Sequence, residues 1–343
     1  MSDKLRVGVI GVGIAFQHLH LPNIIRHGDA LELVAVGATS DESASAAADL
    51  VVGEGMRRPS TYSDAHELLA EALDAVLLCV PISDTYELGL DVIGTGVHLI
   101  CEKPLGESAA AGAKLAEAAE AAGVTLAVCE NFRYQTRFSE VARLVADGLI
   151  GEPRAYFLND LHYTGPDGLY SVTPWRQRGD HRGGYLLDGG SHTVAGLRAM
   201  VGETPASVYA LPTSFHPDHL GEPWDTALVN LRFGSGLVGH LALGYGSPDR
   251  EARHPKILGT TGTLALMNDS IAVWRPDGTK DSAIPLADLS DGTAREWDDF
   301  VTALCGESPL TFSAWEAVAD LAVLDAVLTS SESGELTDVK TYG

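Results

Sequence analysis

The sequence predicts an α/β plus α+β protein: an N-terminal doubly wound parallel sheet, then a domain built on an open, mostly antiparallel sheet. Three observations carry this. The chain has 343 residues, and a typical domain of about 150 residues makes that two. Up to residue 130 or so, short β-branched runs alternate with longer amphipathic stretches. Beyond it, strand-like runs follow one another with few helices between them, the texture of an α+β domain. Hydrophobic residues make up 45% and charged residues 20%, an ordinary globular balance with enough apolar material for two cores. That balance excludes disorder, and the chain shows no internal repeat.

The first five strand candidates, 5–10, 31–36, 75–80, 98–101 and 125–129, are near-continuous apolar runs. Such runs belong to strands buried on both faces, as in a parallel sheet covered by helices. Helices are expected at 16–25, 43–50, 64–70, 85–93 and 108–122. The last is Ala-rich, with Ser108 placed to cap its start and Gly123 where a C′ glycine belongs. After that come a helix at 137–147, stopped by Gly148 and Gly151, and strands at 154–161, 207–211, 226–233, 237–243, 257–258, 263–267 and 271–274. The turns Phe233-Gly234-Ser235-Gly236 and Pro276-Asp277-Gly278 suit hairpins. Helices at 295–304 and 314–328 finish the chain. The domains are therefore placed at 1–129 and 130–343, with the last helix free to pack back on the first.

Charge narrows the partners. The 23 Lys plus Arg face 47 Asp plus Glu, a formal net charge of -24. Such a surface repels polyphosphate backbones and anionic lipid, so neither nucleic acid nor a membrane is expected as a partner. An anionic cofactor then needs a local device to hold it. The start lacks the apolar core of a signal peptide, and no uncharged apolar run approaches 18 residues, so a cytoplasmic location is expected. Cys79, Cys101, Cys129 and Cys305 form no C-x-x-C pair, and the first three end apolar runs, where a thiol behaves as a small hydrophobe. His181, His216, His219, His240 and His254 show no ligand spacing, so no metal is expected.

The first strand, Val7-Gly8-Val9-Ile10, runs into Gly11-Val12-Gly13-Ile14-Ala15-Phe16. Gly11 permits a tight turn, and Gly13 lets backbone approach a pyrophosphate where Ile14 and Ala15 open the next helix. A strand-to-helix turn also wants glycine for its own sake, and the third glycine of the motif is replaced by Phe16. Position right after the first strand of a βαβ unit favours the dinucleotide reading. At the end of the second strand Ala38 stands where an acid usually meets the ribose diol of NAD. Thr39 and Ser40 leave room for a 2′-phosphate, although no Arg or Lys is at hand, and Asp41 is still available to a diol. NADP or NAD is expected, with a slight balance towards NADP.

Three further segments have a reactive look. Cys101-Glu102-Lys103-Pro104 follows a parallel strand, at the carboxyl edge where such sheets bind ligands, and Lys103 is one of six lysines. In Gly183-Gly184-Tyr185-Leu186-Leu187-Asp188-Gly189-Gly190-Ser191-His192, Asp188 and His192 are four apart and share one face of a helical turn. The alternative is that Asp188 or Ser191 merely caps the helix that follows. Asn131-Phe132-Arg133-Tyr134 comes just after the last strand of the first domain.

Together, Gly11-Val12-Gly13 with His20-Leu21-Pro22, then Glu102-Lys103-Pro104, Asn131-Phe132-Arg133-Tyr134, and Gly183-Gly184 with Asp188 and His192 resemble the glucose–fructose oxidoreductase/inositol dehydrogenase (Gfo/Idh/MocA) family over nearly the whole chain. The resemblance implies a Rossmann domain followed by an α+β domain whose open sheet joins homodimers or homotetramers. It implies hydride transfer between NAD(P) and a secondary alcohol or ketone carbon of a sugar, inositol or related polyol. Lys103 would then hydrogen-bond the reacting oxygen. His192, an imidazole with a reference pKa of about 6.5, would exchange the proton, and Asp188 would orient His192 or bind a neighbouring hydroxyl. Val80, Pro81, Thr85, Glu102, Pro104 and Asn131 would lie beside the cofactor, with a cis bond before Pro104. Phe16 and Thr85 depart from the pattern, since many relatives carry a His at the latter position.

Substrate contacts are expected from Arg133, Tyr134, His162, Tyr163, Trp175 and Arg176, with Tyr170 and Arg178 in the same loop. Trp175 offers a flat face for a sugar ring and Arg176 a fixed donor fork; the alternative is a core Trp beside a surface ion pair. Two other functions stay open: a closed redox cycle on tightly held NAD, as in an epimerase or glycosidase, and a non-catalytic dinucleotide-binding regulator.

Overall fold

Runs of Val, Leu, Ile and Ala with no polar interruption make the central strands of the first sheet. In a computed structural model, which describes residues 4–179, 181–216, 220, 224–249 and 254–343, β1 (Leu5–Ile10), β2 (Leu31–Gly37), β3 (Ser60–Tyr62), β4 (Ala75–Leu78), β5 (His98–Glu102) and β6 (Leu126–Cys129) pair in the order β3-β2-β1-β4-β5-β6. Every pairing is parallel, and all residues of β4 and β6 are buried. The order reverses between β1 and β4, which opens a ligand crevice at the carboxyl ends of these strands. The edge strand β3 escaped the sequence reading because three polar residues carry no apolar run.

The connecting helices are a π-helical turn Phe16–His20 leading into α1 (Leu21–Arg26), then α2 (Asp41–Gly53), α3 (Ala65–Leu68), α4 (Ile82–Gly94) and α5 (Ala109–Ala122). The Ser108 hydroxyl accepts the Ala111 N–H and Gly123 adopts φ +68, so both expected ends of α5 form.

The second sheet contains β7 (Pro153–Leu161), β8 (Ser207–Thr213), β9 (Thr226–Arg232), β10 (Val238–Gly244), β11 (Lys256–Gly259), β12 (Thr263–Leu266), β13 (Ser270–Trp274), β14 (Ile284–Pro285) and β15 (Thr337–Asp338), in the order β14-β13-β12-β11-β7-β10-β9-β8-β15. Among the described strands of this sheet, only the β7–β10 pairing is parallel. Its helices are α6 (Thr136–Ala146), α7 (Pro174–Arg178), α8 (Gly184–Asp188) and α9 (Gly190–Val201). On one face the cross-strand registers line up Leu211, Leu228 and Ala242, with Phe157 and Val238 on the same side. Phe157, Leu211, Leu228 and Val238 are exposed there. Tyr156, Leu158, Val229, Leu231, Leu241 and Leu243 alternate onto the other face and are buried.

Two more helices precede β15, α10 (Thr293–Leu304) and α11 (Ala314–Ser333). The latter outruns its expected end at 328 because tertiary partners hold its last turn: Ser330 Oγ accepts the Ala210 N–H and Arg182 pairs with Glu332. The chain divides into Met1–Glu130 with Thr293–Val318 and Gly343, and Asn131–Gly292 with Ala319–Tyr342. Residues 293–318, which the sequence reading gave to the second domain, thus group with the first. His219, one of the five histidines in which no metal spacing is read, lies outside the described residues. No described helix is long and apolar enough to cross a membrane.

Candidate active site

The turn after β1 separates two glycine roles. Gly11 has φ +92, and a Cβ there would collide with the Cys79 carbonyl of the neighbouring strand, so this glycine serves the fold. Gly13 meets nothing within 4 Å of a built Cβ. It leaves open space before the helical turn, a fit for a pyrophosphate against backbone N–H groups of Ile14 and Ala15. Phe16, in place of the third glycine, is fully buried and packs into the core. At the end of β2 the Ser40 hydroxyl caps α2 by accepting the Ser43 N–H at 3.2 Å, while Thr39 is exposed. Thr85 is buried in α4, and its hydroxyl faces its own turn, 3.4 Å from the Pro81 carbonyl.

Lys103 leaves the carboxyl end of β5 through a cis Lys103–Pro104 bond. Glu102 beside it bridges two donors: Oε1 lies 2.7 Å from His20 Nε2, and Oε2 accepts the Lys103 N–H at 3.1 Å. On the far side of the ring, Trp297 Nε1 donates to His20 Nδ1 at 3.2 Å. An indole N–H only donates, so Nδ1 is the acceptor and Nε2 carries the proton towards Glu102. His20 and Trp297 are buried. The chain Trp297–His20–Glu102 therefore fixes the backbone at Lys103.

His20, Glu102 and Cys129 also place three ligand-type atoms within 4.8 Å of one another. Burial pushes the Cys129 thiol well above its usual range, with Glu296 and Glu102 adding to it. A neutral thiol beside an imidazole bonded at both nitrogens reads as a hydrogen-bond chain rather than a ligand set.

In the second unit Asp188 and His192 lie on two short helices, α8 and α9, that meet at Gly189 with φ -83 and ψ -30. The junction stays helical in backbone angle, and Gly189 is required because a Cβ would run into the Tyr245 ring. Neither Asp188 nor Ser191 caps α9 through its side chain; Ser191 Oγ donates to the Asp188 carbonyl at 3.0 Å. The buried Asp188 carboxylate accepts Arg176 Nε at 2.7 Å, and the Arg176 guanidinium stacks on Trp175 and Tyr170.

His192 stacks on Phe132, ring centroids 4.8 Å apart, and lines a cavity of about 370 Å³. The cavity lies among α6, α9 and the β7 and β12 strands, with Arg137, Asp160, His162, Thr193, Tyr245 and His254 among its walls. Asp160 accepts from His162 Nε2 at 2.7 Å and from the Thr193 hydroxyl. His162 in turn stacks nearly parallel on Tyr245.

Of the expected substrate residues, His162 therefore shares the cavity with His192. Tyr163 is exposed, with its ring edge to His216. Arg133 pairs with buried Asp320 at 3.1 Å, and Tyr134 is buried. Asn131 donates to the Asp291 carbonyl at 2.7 Å. The sequence reading missed His20 and Trp297 as partners of Glu102, and Asp160, Thr193, Tyr245 and Arg137 as cavity walls. For Asp160 a signal existed, since Asp160 and His162 are two apart at a strand end and share a face.

Residues 5–130 match the model of an oxidoreductase family with an NAD-binding Rossmann fold, Gfo/Idh/MocA, and residues 138–265 match the model of its C-terminal domain. The inositol 2-dehydrogenase of Rubrobacter xylanophilus is 25% identical, over 99% of this chain and 94% of its own. The D-xylose 1-dehydrogenase (NADP(+)) 2 of Haloferax volcanii is 27% identical over 97% and 98%. The crystal structure of an oxidoreductase from Thermotoga maritima matches with TM-score 0.88 at 27% identity, covering 98% of this chain and 99% of that one.

Proposed function

The chain belongs to the Gfo/Idh/MocA oxidoreductase family, and on that premise we propose that it oxidises a secondary alcohol of a sugar, inositol or related polyol, or reduces the matching ketone, with NADP in preference to NAD. It is an NAD(P)-dependent enzyme acting on CH–OH groups of sugars or polyols. The observation that carries the finer reading is His192 facing a cavity of ligand size instead of packing into the core.

A bound nicotinamide supplies the hydride acceptor or donor. Lys103 donates a hydrogen bond from Nζ to the reacting oxygen and stabilises the charge that develops there. His192 takes the carbinol proton in oxidation and returns it in reduction. Asp188, fixed by Arg176, orients His192 or binds a neighbouring hydroxyl. Gly13, Ile14 and Ala15 receive the pyrophosphate. Ala38, Thr39 and Ser40 receive the adenosine ribose, with Ala38 in place of the acid that usually meets the ribose diol; the Haloferax relative's name specifies NADP(+). Val80, Pro81, Thr85, Glu102, Pro104 and Asn131 complete the cofactor's surroundings. The enzyme works in the cytoplasm as a homodimer or homotetramer, joined through the sheet face that exposes Phe157, Leu211, Leu228 and Val238.

The test is an absorbance assay for reduced cofactor across aldoses, inositols, sugar alcohols and their acids, with NADP and NAD supplied separately. Turnover on a member of the panel, faster with NADP, is the expected result. Silence across the panel while reduced cofactor still binds would overturn the exchanging dehydrogenase in favour of a closed redox cycle.

A further inference from the structure

Among the described residues most arginine side chains of the second unit are tied to carboxylates, and Arg232, which has no such partner, is exposed on β9. Arg143 bonds Glu140 and Asp147, Arg154 bonds Glu152, and Arg275 bonds Asp281. Arg137 is different. It stands in the first turn of α6 and lines the cavity that holds His192. Among the described residues no carboxylate lies within ion-pairing distance of it. Its guanidinium rests on the Phe138 ring at 4.8 Å and near the Phe132 ring at 5.9 Å, the ring on which His192 stacks. Its Nε is buried with no hydrogen-bond partner. Burial alone lowers its pKa, whereas the carboxylate partners of Arg143, Arg182 and Arg275 raise theirs.

A half-buried cation with an unmet donor is costly in a cavity wall, and in a chain with a net charge of -24 acidic partners are abundant. We propose that Arg137 is the receptor for a carboxylate on the substrate, so that the preferred substrate is a sugar acid and not a neutral polyol. The inference rests on the dehydrogenase reading above and narrows its substrate class. A planar guanidinium offers paired donors that match a carboxylate, and two aromatic faces hold the plane in place.

The rest of the cavity agrees with one negative charge. Asp160 is the acid on the wall, and its two oxygens are covered by His162 and Thr193. A monoanion therefore meets one half-buried cation without a carboxylate partner and one satisfied acid, while a phosphate dianion would face Asp160 with a charge to spare. The cavity of about 370 Å³ is near the lower end of small-molecule sites, which run from about 300 to 1,000 Å³. That suits a single sugar ring with a carboxyl group.

The experiment compares D-glucuronate, D-galacturonate and D-gluconate with D-glucose, D-galactose and D-sorbitol, plus D-glucose 6-phosphate. It reads kcat/KM with NADP and, separately, binding by calorimetry in the presence of NADP. At least one acid is expected to exceed its neutral partner by about 10- to 100-fold in both readouts, the size of a charge-assisted bidentate pair. Arg137→Met should bring that ratio close to one, and Arg137→Lys should restore part of it. Acids and neutral sugars turned over alike would overturn the proposal and leave the dehydrogenase standing. Preference for the sugar phosphate would overturn the carboxylate assignment. An acid that binds only when Arg137 is present, with no cofactor reduced, would support the receptor and refute the dehydrogenase. An unchanged acid preference in Arg137→Met would also overturn it, and the wild-type ratio decides the case if that variant does not fold.

Discussion

In the proposed mechanism Glu102 acts through Lys103 from outside the chemistry. Its carboxylate joins the His20 ring to the Lys103 amide, and Trp297 sets the tautomer of that ring. Removing the bridge loosens the backbone from which Lys103 reaches its target, and small misplacements of a reacting group are expensive. Glu102→Ala should lower kcat about tenfold or more, with KM for substrate changed less, and Glu102→Gln should recover only part of the loss, because its amide oxygen accepts from one of the two donors while its NH2 faces the other. Equal activity in Glu102→Ala and the wild type, by steady-state kinetics, would reduce Glu102 to a packing residue. At the other end of the cofactor, Ala38→Asp places a carboxylate against the 2′-phosphate. The NADP-to-NAD ratio of kcat/KM should fall about tenfold or more, and an unchanged ratio would mean that the ribose lies elsewhere. As candidates, Lys103 and His192 were legible from their place at a strand end and in the motif order, and their roles from the family resemblance alone. The bridge was not, since His20 and Trp297 lie 82 and 277 residues from their partners. Nor was Arg137, one more polar residue at a helix start until the fold leaves it without a carboxylate.

At the scale of elements, the strands buried on both faces were legible because their runs are unbroken. β3 and β15 were not, for two or three residues at a sheet edge are held by pairing alone. Asp188 and His192 were expected on one helical turn, and they lie on α8 and α9, which meet at Gly189, where a Cβ would run into the Tyr245 ring. At the start of β5, His98 Nδ1 accepts the Thr125 N–H at 2.9 Å, which ties β5 to the entry of β6. Burial lowers the His98 pKa below the ordinary 6.5, against a smaller opposing pull from Asp74. The folded pKa is thus below the unfolded one, and between them the unfolded chain binds more protons. This contribution to stability is complete above about pH 6.5 and is lost as pH falls through the folded value. His27 shifts in the same direction, from burial first and Arg26 second. The melting temperature should therefore fall between pH 7.5 and 5.5, and His98→Gln should show a smaller fall, as measured by thermal unfolding at each pH. An equal fall in both proteins would remove His98 from the account.

At the scale of the whole molecule, a chain with a net charge of -24 must handle an anionic dinucleotide, and the open space before a helical turn at Gly13 is the local device proposed for it. The two sheets and their order follow from composition and periodicity. The grouping of Thr293–Val318 with the first unit does not, because α10 carries an amphipathic pattern that fits any apolar surface. It is Trp297 in that helix, bonded to His20, that gives the placement a functional meaning. The central claim is that this fold moves a hydride with Lys103 and His192 as the groups that handle charge and proton. The measurement that tests it most directly is kcat for Lys103→Met and for His192→Ala on the best substrate of the panel, with the NADPH dissociation constant measured alongside. The account predicts a loss of about 10²-fold or more in kcat for each variant, with cofactor affinity nearly unchanged. Full turnover in Lys103→Met would contradict it.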